Sequence, residues 1–318
     1  MKAVYLEEGA VNRGDLSLSP ITSLIETKVY ENTTEDDKYE HIGDAEVVFS
    51  NKIIFDEETF SKCPNLKYVG VCATGYNVID VEAAKRHGVT VTNVPAYSTE
   101  SVAQLTWGFI LEHACHIGLH GDSVKNGEWV SSETFCYWKA PVTELYGKTI
   151  GIVGYGNIGR RVAEIALAFR MRVLVHTAHP EKYEAVEGLS FVDMETLFAE
   201  SDIISLHCPM TEETKEIVRR ENIEKMKDGV ILINVSRGGL VNEADLYEAL
   251  ESGKVGYAAC DVVSVEPMRA DNPLLKAKNI TITPHMAWAS LEARNRLIEI
   301  VASNFKAFLE GKNENVVS

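Results

Sequence analysis

The sequence predicts an α/β protein built from two doubly wound parallel-sheet domains, one of them inserted into the other. Three observations lead to this fold class. Short apolar runs alternate with amphipathic runs along most of the chain, as strands and helices do in parallel sheets. A glycine-rich turn near the middle follows an apolar run ending at Val153 and precedes an amphipathic run beginning at Arg160. The length of 318 residues is sufficient for two cores.

The first hundred residues predict a small α/β domain of the flavodoxin-like type. Five apolar runs are typical of strands, at residues 2–6, 28–30, 46–49, 67–71 and 89–92. Helical patterns lie between some of them, for example at residues 56–62 and 81–86. No glycine fingerprint accompanies these strands.

The turn after the fourth of these strands is a candidate binding segment. Parallel sheets bind ligands beyond the carboxyl ends of their strands. The backbone N–H groups of Ala73, Thr74 and Gly75 could therefore hold a carboxylate. A plain turn explains the same residues, and the segment taken alone favours that explanation.

Residues 99 to about 120 predict one long helix that leaves the first domain, with Ser98 or Thr99 as its cap. His113, His116 and His120 would share a face of this helix. Because metal sites need further ligands and a second shell, and neither is evident, we interpret this face as polar and expect no metal.

The segment of residues 129–141 is rich in aromatic side chains: Trp129, Phe135, Tyr137 and Trp138. Such a patch in a loop is more typical of a buried interface than of free surface.

The alternation of strands and helices resumes at Thr149. Six strands are predicted at residues 149–153, 172–176, 203–207, 230–234, 257–260 and 280–283, and helices near 157–169, 193–199, 221–226 and 243–252. A strongly amphipathic helix is predicted at residues 291–309, and we expect it to pack on the first domain. The domains are then residues 1–98 with 288–318, and the inserted residues 99–287.

The inserted domain carries a dinucleotide fingerprint of the Rossmann type. Gly154, Gly156 and Gly159 fit G-x-G-x-x-G after a strand and at the start of a helix. The first glycine permits the tight turn, the second lets a pyrophosphate approach the backbone, and the third lets helix and strand pack closely. The phosphates would lie on the free N–H groups of the helix N-terminus. A purely structural glycine turn is the alternative, but the flanking strand and helix favour dinucleotide binding.

Composition excludes several classes of partner. Asp and Glu number 47 against 31 Lys and Arg, a formal net charge of −16, whereas nucleic acids and anionic membranes require a basic surface. No apolar run approaches the roughly 18 residues of a membrane helix, and the first residues are too short an apolar run for a signal peptide. The six cysteines are scattered without a C-x-x-C pair, which indicates reduced thiols in a cytoplasmic protein.

Three polar residues near predicted strand ends have the chemistry of a hydride-transfer site. Arg237 could grip the carboxylate and carbonyl oxygen of a 2-oxo acid. His285 could give a proton to that oxygen as hydride arrives at carbon. Glu266 beside the histidine would stabilise its protonated form and fix its orientation. Each residue alone has a simple structural explanation, but together at one sheet edge they favour catalysis.

The chain resembles the D-isomer-specific 2-hydroxyacid dehydrogenase family over nearly its whole length, and in particular its glycerate dehydrogenase (hydroxypyruvate reductase) branch. The resemblance rests on the segments SNKIIFDEETF, VCATGYNVID, NVPAYSTESVAQ, FCYWKAP, ELYGKTIGIVGYGNIG, NVSRGGLVNE, DVVSVEP and TPHMAWAS. The last three segments carry the family's Arg, Glu and His, at Arg237, Glu266 and His285.

The resemblance implies an active site between the domains and a homodimer built on the cofactor domain. It implies that residues 73–75 cradle the substrate carboxylate, that Asp261 faces the nicotinamide amide, and that Trp138 reaches toward the partner subunit. It implies a set of dinucleotide contacts at Thr106, Gly154, Gly156, Asn157, Ile158, Gly159, Thr177, Cys208, Pro209, Thr214, Val235, Ser236, Asp261 and Trp288.

One position departs from the usual pattern. NAD-selective folds carry Asp or Glu at the end of the second strand, bonded to the ribose 2′-OH. Here that position holds Thr177, and no arginine follows, although His179 and Lys182 are near. NAD is the cofactor that the family implies, and NADP remains open.

Two functions follow from the resemblance. The first is an NAD(P)-dependent oxidoreductase that transfers hydride to a small 2-oxo acid, with hydroxypyruvate reduction to D-glycerate as the preferred reaction. The second is an NAD-sensing, corepressor-like binding protein on the same fold, which could keep all three catalytic residues. The strongly acidic charge favours the enzyme. The sequence leaves open the side chain of the substrate, the physiological direction and the pathway.

Overall fold

The structure, a computed structural model, describes all residues from Met1 to Ser318. The chain divides into two compact units. The first unit comprises Met1–Ser98 and Trp288–Ser318, and the second unit comprises Thr99–Ala287.

The first unit contains a five-stranded parallel sheet with strand order β2-β1-β3-β4-β5. Its strands are β1 (Ala3–Tyr5), β2 (Thr27–Val29), β3 (Val47–Ser50), β4 (Tyr68–Val71) and β5 (Thr90–Thr92). Its first five helices are α1 (Glu8–Val11), α2 (Ser19–Thr22), α3 (Lys38–Ile42), α4 (Glu57–Lys62) and α5 (Val81–Arg86). Every residue of β3 and β4 is buried, because the strands inside a doubly wound sheet are covered on both faces. The strand order is the flavodoxin-like one that was expected.

The second unit contains a seven-stranded parallel sheet with strand order β12-β11-β10-β9-β6-β7-β8. Its strands are β6 (Thr149–Val153), β7 (Arg172–His176), β8 (Leu189–Phe191), β9 (Ile203–Leu206), β10 (Val230–Asn234), β11 (Val255–Cys260) and β12 (Ile280–Ile282). Its helices are α6 (Thr99–Cys115), α7 (Ile117–Lys125), α8 (Asn157–Ala168), α9 (Met194–Glu200), α10 (Arg220–Ile223) and α11 (Glu243–Ser252). The order reverses between β6 and β9, and a ligand site is expected at the carboxyl ends of these two strands. The fold class predicted from the sequence is confirmed.

The last helix, α12 (Leu291–Leu309), packs on the sheet of the first unit. Its Phe305 ring lies edge-on to Phe49, with the two ring centroids 5.5 Å apart, and 5.3 Å from the ring of Tyr68. Ser290 caps the helix by accepting a hydrogen bond from the Ala293 N–H at 3.3 Å. Buried apolar side chains along one face fix α12 in this unit.

Two elements differ from the sequence-based expectation. The predicted single helix from residue 99 to about 120 is wrong, because His116 adopts a left-handed conformation (φ 50°) and separates α6 from α7. The three histidines therefore do not share the face of one helix, and the His113 ring instead stacks on Tyr257 at 4.2 Å. The strand β8 was not predicted. It is a three-residue edge strand without a fully buried residue.

Candidate active site

The glycine turn of the second unit occupies the carboxyl end of β6. Gly154 has φ 98°, a conformation that favours glycine, and it donates a hydrogen bond to the His176 carbonyl at 2.8 Å. A Cβ on Gly154 would lie 2.5 Å from the backbone nitrogen of Cys208. Glycine is therefore required here both by conformation and by the close approach of the chain that leaves β9.

The other two glycines leave room for a ligand and for close packing. A Cβ on Gly159 would lie 2.1 Å from the Gly154 carbonyl oxygen, so only glycine lets α8 pack so near the turn. A Cβ on Gly156 would meet no atom within 4 Å, so this position faces open space. Gly156 precedes α8, where the N–H groups of Asn157 and Ile158 begin the helix. The open face and the helix N-terminus fit the pyrophosphate of a dinucleotide.

The chain segments after β9 and β10 are tied together beside the glycine turn. Ser236 donates its hydroxyl to the Cys208 carbonyl at 2.6 Å, and Val235 before it is buried. Thr214 donates its hydroxyl to the Pro209 carbonyl at 2.7 Å, which closes the loop after β9. These five candidate cofactor residues thus form two adjoining loops at one sheet edge.

Three other candidate cofactor residues have different surroundings. Thr106 is fully buried in α6 and donates its hydroxyl to the Val102 carbonyl at 2.9 Å, so this hydroxyl serves the helix. Thr177 is half-buried and directly follows β7. Trp288 belongs to the first unit, where it lies edge-on to Tyr97 with ring centroids 6.5 Å apart.

Two residues that lie against Gly154, His207 and Cys208, have uncharged side chains because their pKa values are shifted. Burial lowers the pKa of His207 to about 3, so its imidazole is neutral at physiological pH, with Nε2 2.8 Å from the Ser205 hydroxyl oxygen. Burial raises the pKa of the Cys208 thiol to about 11, so it remains protonated. Neither group adds charge where the phosphates would bind.

Arg237 lies on a turn that a buried asparagine holds. The side chain of Asn234, the last residue of β10, donates to the Arg237 carbonyl at 2.9 Å and accepts from the Ser236 N–H at 3.1 Å. This clamps the turn around Arg237, whose guanidinium is exposed and bonded only to the Ser236 carbonyl at 2.8 Å. The guanidinium is thus available to an anionic ligand.

His285 lies on a turn that a buried carboxylate holds. Asp261, only 1% exposed, accepts hydrogen bonds from the Thr283 hydroxyl at 2.5 Å and from the N–H groups of Met286 at 2.9 Å and Ala287 at 2.8 Å. His285 itself has φ 53° and donates its backbone N–H to the Asp261 carbonyl at 2.8 Å. Asp261 therefore shapes the turn that presents the imidazole, in addition to any contact with a nicotinamide.

Glu266 and His285 form a close pair. The carboxylate Oε2 lies 2.6 Å from His285 Nδ1, and Oε1 accepts the Val263 N–H at 3.2 Å. Both side chains are about one-third exposed. Because Nδ1 faces the carboxylate, Nε2 is the nitrogen that can face a substrate. A histidine oriented in this way is able to pass a proton to a bound ligand.

The turn after β4 in the first unit has the backbone donors expected for a carboxylate. Its carbonyls and hydroxyl are engaged within the unit: Ala73 O accepts from Val94 N–H at 3.0 Å, Thr74 Oγ1 donates to Val94 O at 2.7 Å, and Thr74 O accepts from Asn93 at 2.8 Å. The N–H groups of Ala73, Thr74 and Gly75 have no protein acceptor. They remain free to bind an anion.

Sequence reasoning missed the residues that shape the site. Asn234 and Thr283 hold the turns of Arg237 and His285, and Asp261 was expected only as a cofactor contact. The one sequence signal for such a residue was a polar residue at the end of an otherwise apolar strand, as Asn234 is in VILIN.

Residues 107–287 match the family described as D-isomer specific 2-hydroxyacid dehydrogenase, NAD binding domain. The chain belongs to the D-isomer-specific 2-hydroxyacid dehydrogenase family. It is therefore an oxidoreductase that acts on the CH–OH group of donors, and NAD is its cofactor. The family resemblance seen in the sequence is confirmed.

Three similar proteins illustrate the relationship. A hydroxypyruvate reductase of Blautia hydrogenotrophica is 47% identical over 321 residues, which cover 100% of both chains. A glycerate dehydrogenase of Methylorubrum extorquens is 39% identical over 319 residues, 99% of this dehydrogenase and 98% of that one. The solved structure of an acyclic imino acid reductase (Bsp5) with NADPH and D-Arg has a TM-score of 0.86 and 29% identity, and both chains are covered completely.

Two further observations describe the chain as a whole. None of its helices combines the length and the apolarity that a membrane crossing requires. No three His, Cys, Asp or Glu side chains are grouped so that they could hold a metal ion.

Proposed function

We propose that this dehydrogenase reduces hydroxypyruvate to D-glycerate, with Arg237, Glu266 and His285 as its catalytic residues. The observation that carries the assignment is the 2.6 Å contact between Glu266 and His285. It gives the family's acid–base pair a working geometry in the parallel sheet that also carries the dinucleotide turn. The substrate is supported by the names of the two relatives, hydroxypyruvate reductase and glycerate dehydrogenase.

In the proposed reaction each side chain has one task. A bound nicotinamide supplies the hydride that adds to the carbonyl carbon. Arg237 holds the substrate carboxylate and polarises the carbonyl oxygen. His285 Nε2 gives its proton to that oxygen, which becomes the hydroxyl group of the product. Glu266 stabilises the imidazolium before transfer and keeps Nδ1 facing away from the substrate.

The backbone of the first unit contributes to substrate binding in this proposal. The free N–H groups of residues 73–75 would donate to the substrate carboxylate. The second-unit candidates from the glycine turn to Ser236 and Asp261 would hold the cofactor. Trp288 is proposed as a further cofactor contact.

We propose that the enzyme accepts NADPH as well as NADH. Thr177 stands where NAD-selective folds carry a carboxylate, so nothing at this position repels a 2′-phosphate. A protein of the same fold with 29% identity has been solved with NADPH. The exposed His179 and Lys182 offer cationic groups on the adjoining segment, although His179 lies 3.3 Å from Glu181.

We also propose that the enzyme is a cytoplasmic homodimer. A segment of the second unit exposes large aromatic side chains in the single chain: Trp129 is 52%, Trp138 71% and Phe135 89% exposed. Such a patch favours an interface. All six cysteines are free, as suits a reducing compartment.

The test is to add hydroxypyruvate to the purified protein with NADH and to measure NADH oxidation as a loss of absorbance. We expect turnover with hydroxypyruvate, and D-glycerate as the product by chiral analysis. A panel of other small 2-oxo acids measures preference. If no small 2-oxo acid is turned over while NADH still binds, the NAD-sensing function takes the place of the enzyme.

A further inference from the structure

Glu243 joins the segment that carries Arg237 to the loop that carries Glu266. It is the first residue of α11, and its carboxylate accepts three hydrogen bonds from another part of the chain. Ser264 N–H donates to Oε1 at 2.8 Å, and the Ser264 hydroxyl donates to Oε2 at 2.8 Å. The Asn272 amide donates to Oε2 at 2.9 Å.

The peptide that Glu243 holds lies in direct contact with both catalytic segments. A Cβ on Gly238, next to Arg237, would be 1.9 Å from the Val263 carbonyl and 2.4 Å from the Ser264 nitrogen. The Val263–Ser264 peptide therefore packs against the bare backbone of the Arg237 turn. The N–H of Val263, which belongs to the preceding Val262–Val263 peptide, donates to Glu266 Oε1 at 3.2 Å. Because the two peptides share Val263, a shift of the Val263–Ser264 peptide would also move the N–H that holds the Glu266 carboxylate.

The donors around Glu243 require a carboxylate. Three N–H or O–H groups point at its two oxygens, and a carboxylate can accept all of them. An amide would place its NH₂ group against at least one donor, and alanine would leave the Ser264 N–H without its partner. Asn272 is itself fixed, since it is 8% exposed and its oxygen accepts the Leu274 N–H at 3.0 Å.

We propose that Glu243 is a positioning residue for the dehydrogenase reaction, which acts through Ser264 on the Glu266–His285 pair. The proposal rests on the assignment of Glu266 and His285 as the acid–base pair. Glu243 touches neither of those side chains. It holds the Val263–Ser264 peptide, and through Val263 it fixes the adjoining N–H that donates to Oε1 of Glu266.

The expected effect of Glu243→Ala is a fall in kcat of roughly 10- to 100-fold, because misplacing a catalytic group by about 1 Å has effects of this size. The pH profile of kcat should change as well, because the contact between Glu266 and His285 is displaced. The Kd for NADH should stay within about twofold, since the glycine turn is untouched.

The experiment is a double-mutant cycle of Glu243→Ala and Glu266→Gln, with kcat and its pH profile as readouts. Glu248→Ala is the matched control, because it removes a carboxylate from the same helix where that carboxylate only pairs with the exposed Arg220. If Glu243 acts through Glu266, the double variant should have the kcat of Glu266→Gln within about twofold. The control should keep the kcat and the pH profile of the wild type.

The outcomes separate the two proposals. Full additivity in the cycle, or a Glu243→Ala enzyme that matches the control, overturns the role of Glu243 alone. An active Glu266→Gln enzyme with wild-type kcat overturns the acid–base assignment and the role of Glu243 with it. If Glu243→Ala does not fold, Glu243→Gln replaces it in the cycle. The glutamine carbonyl retains the Ser264 N–H bond, so we then expect Glu243→Gln to lower kcat by less than about tenfold. In the Glu266→Gln background it should lower kcat no further.

Discussion

At the scale of single residues, the proposed catalytic groups depend on buried polar neighbours that hold their turns. Asn234 shapes the turn of Arg237, and Asp261 shapes the turn of His285. Both are 1% exposed. Their side chains bond backbone groups of the turns and, for Asp261, also the Thr283 hydroxyl. Buried polar groups that are fully hydrogen-bonded give a unique local geometry, which is what hydride and proton transfer at adjacent atoms require.

Replacement of His285 by alanine tests the proton donor. We expect His285→Ala to lower kcat by roughly 10²- to 10⁴-fold, the usual effect of removing a positioned acid–base group. The cofactor should bind as before, since the glycine turn is unchanged, and NADH fluorescence measures this. A folded variant with near-normal kcat would remove His285 from the mechanism.

Replacement of Arg237 by lysine tests the carboxylate grip. Lysine keeps the charge but lacks the planar fork that matches a carboxylate, so we expect Arg237→Lys to lose kcat/KM for hydroxypyruvate by at least about 10²-fold. The wild-type and variant kcat/KM values are compared at equal, saturating NADH. Unchanged kcat/KM would mean that Arg237 does not hold the substrate.

Thr177 is the residue that we expect to set cofactor choice. A hydrogen bond to a charged group is worth about 1.5–3 kcal/mol, so lacking a carboxylate should weaken NADH binding by roughly tenfold. No arginine attracts the 2′-phosphate, and the wild type should therefore use both cofactors within about two orders of magnitude in kcat/KM.

The corresponding test is Thr177→Asp, which should shift preference toward NADH mainly by raising KM for NADPH. Values of kcat/KM for both cofactors are measured in wild type and variant. Thr177→Ser is a suitable control, because it restores no charge. If the wild type already excludes NADPH as strongly as the Asp variant does, another residue sets the choice.

The site residues that could be predicted from the sequence are those whose residue type itself indicates a chemical role. The three glycines follow a spacing that a helix start requires, and Arg237, Glu266 and His285 are polar groups after apolar strands. The roles of Asn234, Glu243 and Thr283 were not predicted. Asn234 bonds backbone groups, Glu243 bonds backbone and side-chain groups, and Thr283 bonds the Asp261 carboxylate. The positions of these partners depend on how adjacent strands end and how the turns close. Those positions are properties of the folded chain.

At the scale of elements, too, some features could be predicted from the sequence and others could not. The limits of α11 and α12 were predicted from the sequence, and in the structure each helix begins after a capping residue, Asn242 or Ser290. The break between α6 and α7 was missed, since His116 is neither glycine nor proline and nothing in HACHIGLH signals a left-handed residue. Strand β8 is too short and too exposed to show a period.

The start of α12 is anchored by an ion pair that makes the stability of the first unit depend on pH. Arg294, whose side chain is 10% exposed, donates to both oxygens of Asp15 at 2.7 Å and to the Val11 carbonyl at 3.1 Å. This hydrogen-bonded guanidinium lowers the pKa of Asp15 from 3.8 to about 2. A folded-state pKa below the unfolded one stabilises the fold above about pH 4, and that contribution is lost as pH falls toward 2.

We therefore expect Asp15→Asn to lower the Tm above pH 4, because a nearly buried guanidinium loses its charged partner. The difference from wild type should shrink as pH falls from 4 toward 2. Thermal unfolding followed by circular dichroism across this range measures it. Asp271→Asn, which breaks an exposed pair with Arg269, is the control and should change Tm less. A difference that stays constant down to pH 2 would contradict the linkage.

At the scale of the whole molecule, the two units are each complete parallel sheets, and the second unit carries all of the proposed catalytic side chains. The second unit also carries an aromatic segment that its own core does not cover. The segment is nonetheless well fixed: Ser123 and Tyr137 hydroxyls lie 2.7 Å apart, and Trp129 Nε1 donates to the Phe135 carbonyl at 3.1 Å. Exposed aromatic side chains that are held in place by hydrogen bonds are typical of a surface that binds a partner.

The last prediction is that this partner is a second copy of the chain. Obligate dimer interfaces bury about 2,000 Å² or more, and sedimentation at micromolar concentration should give a dimer. Phe135→Asp should shift the sample toward monomer, because the interface would bury a carboxylate without a partner. Its fold should be unchanged, since Phe135 is 89% exposed in the single chain. Val186→Asp, at an exposed apolar residue outside the aromatic segment, should remain a dimer. A wild-type protein that sediments as a monomer, or a Phe135→Asp variant as dimeric as the control, would contradict an interface built on this segment.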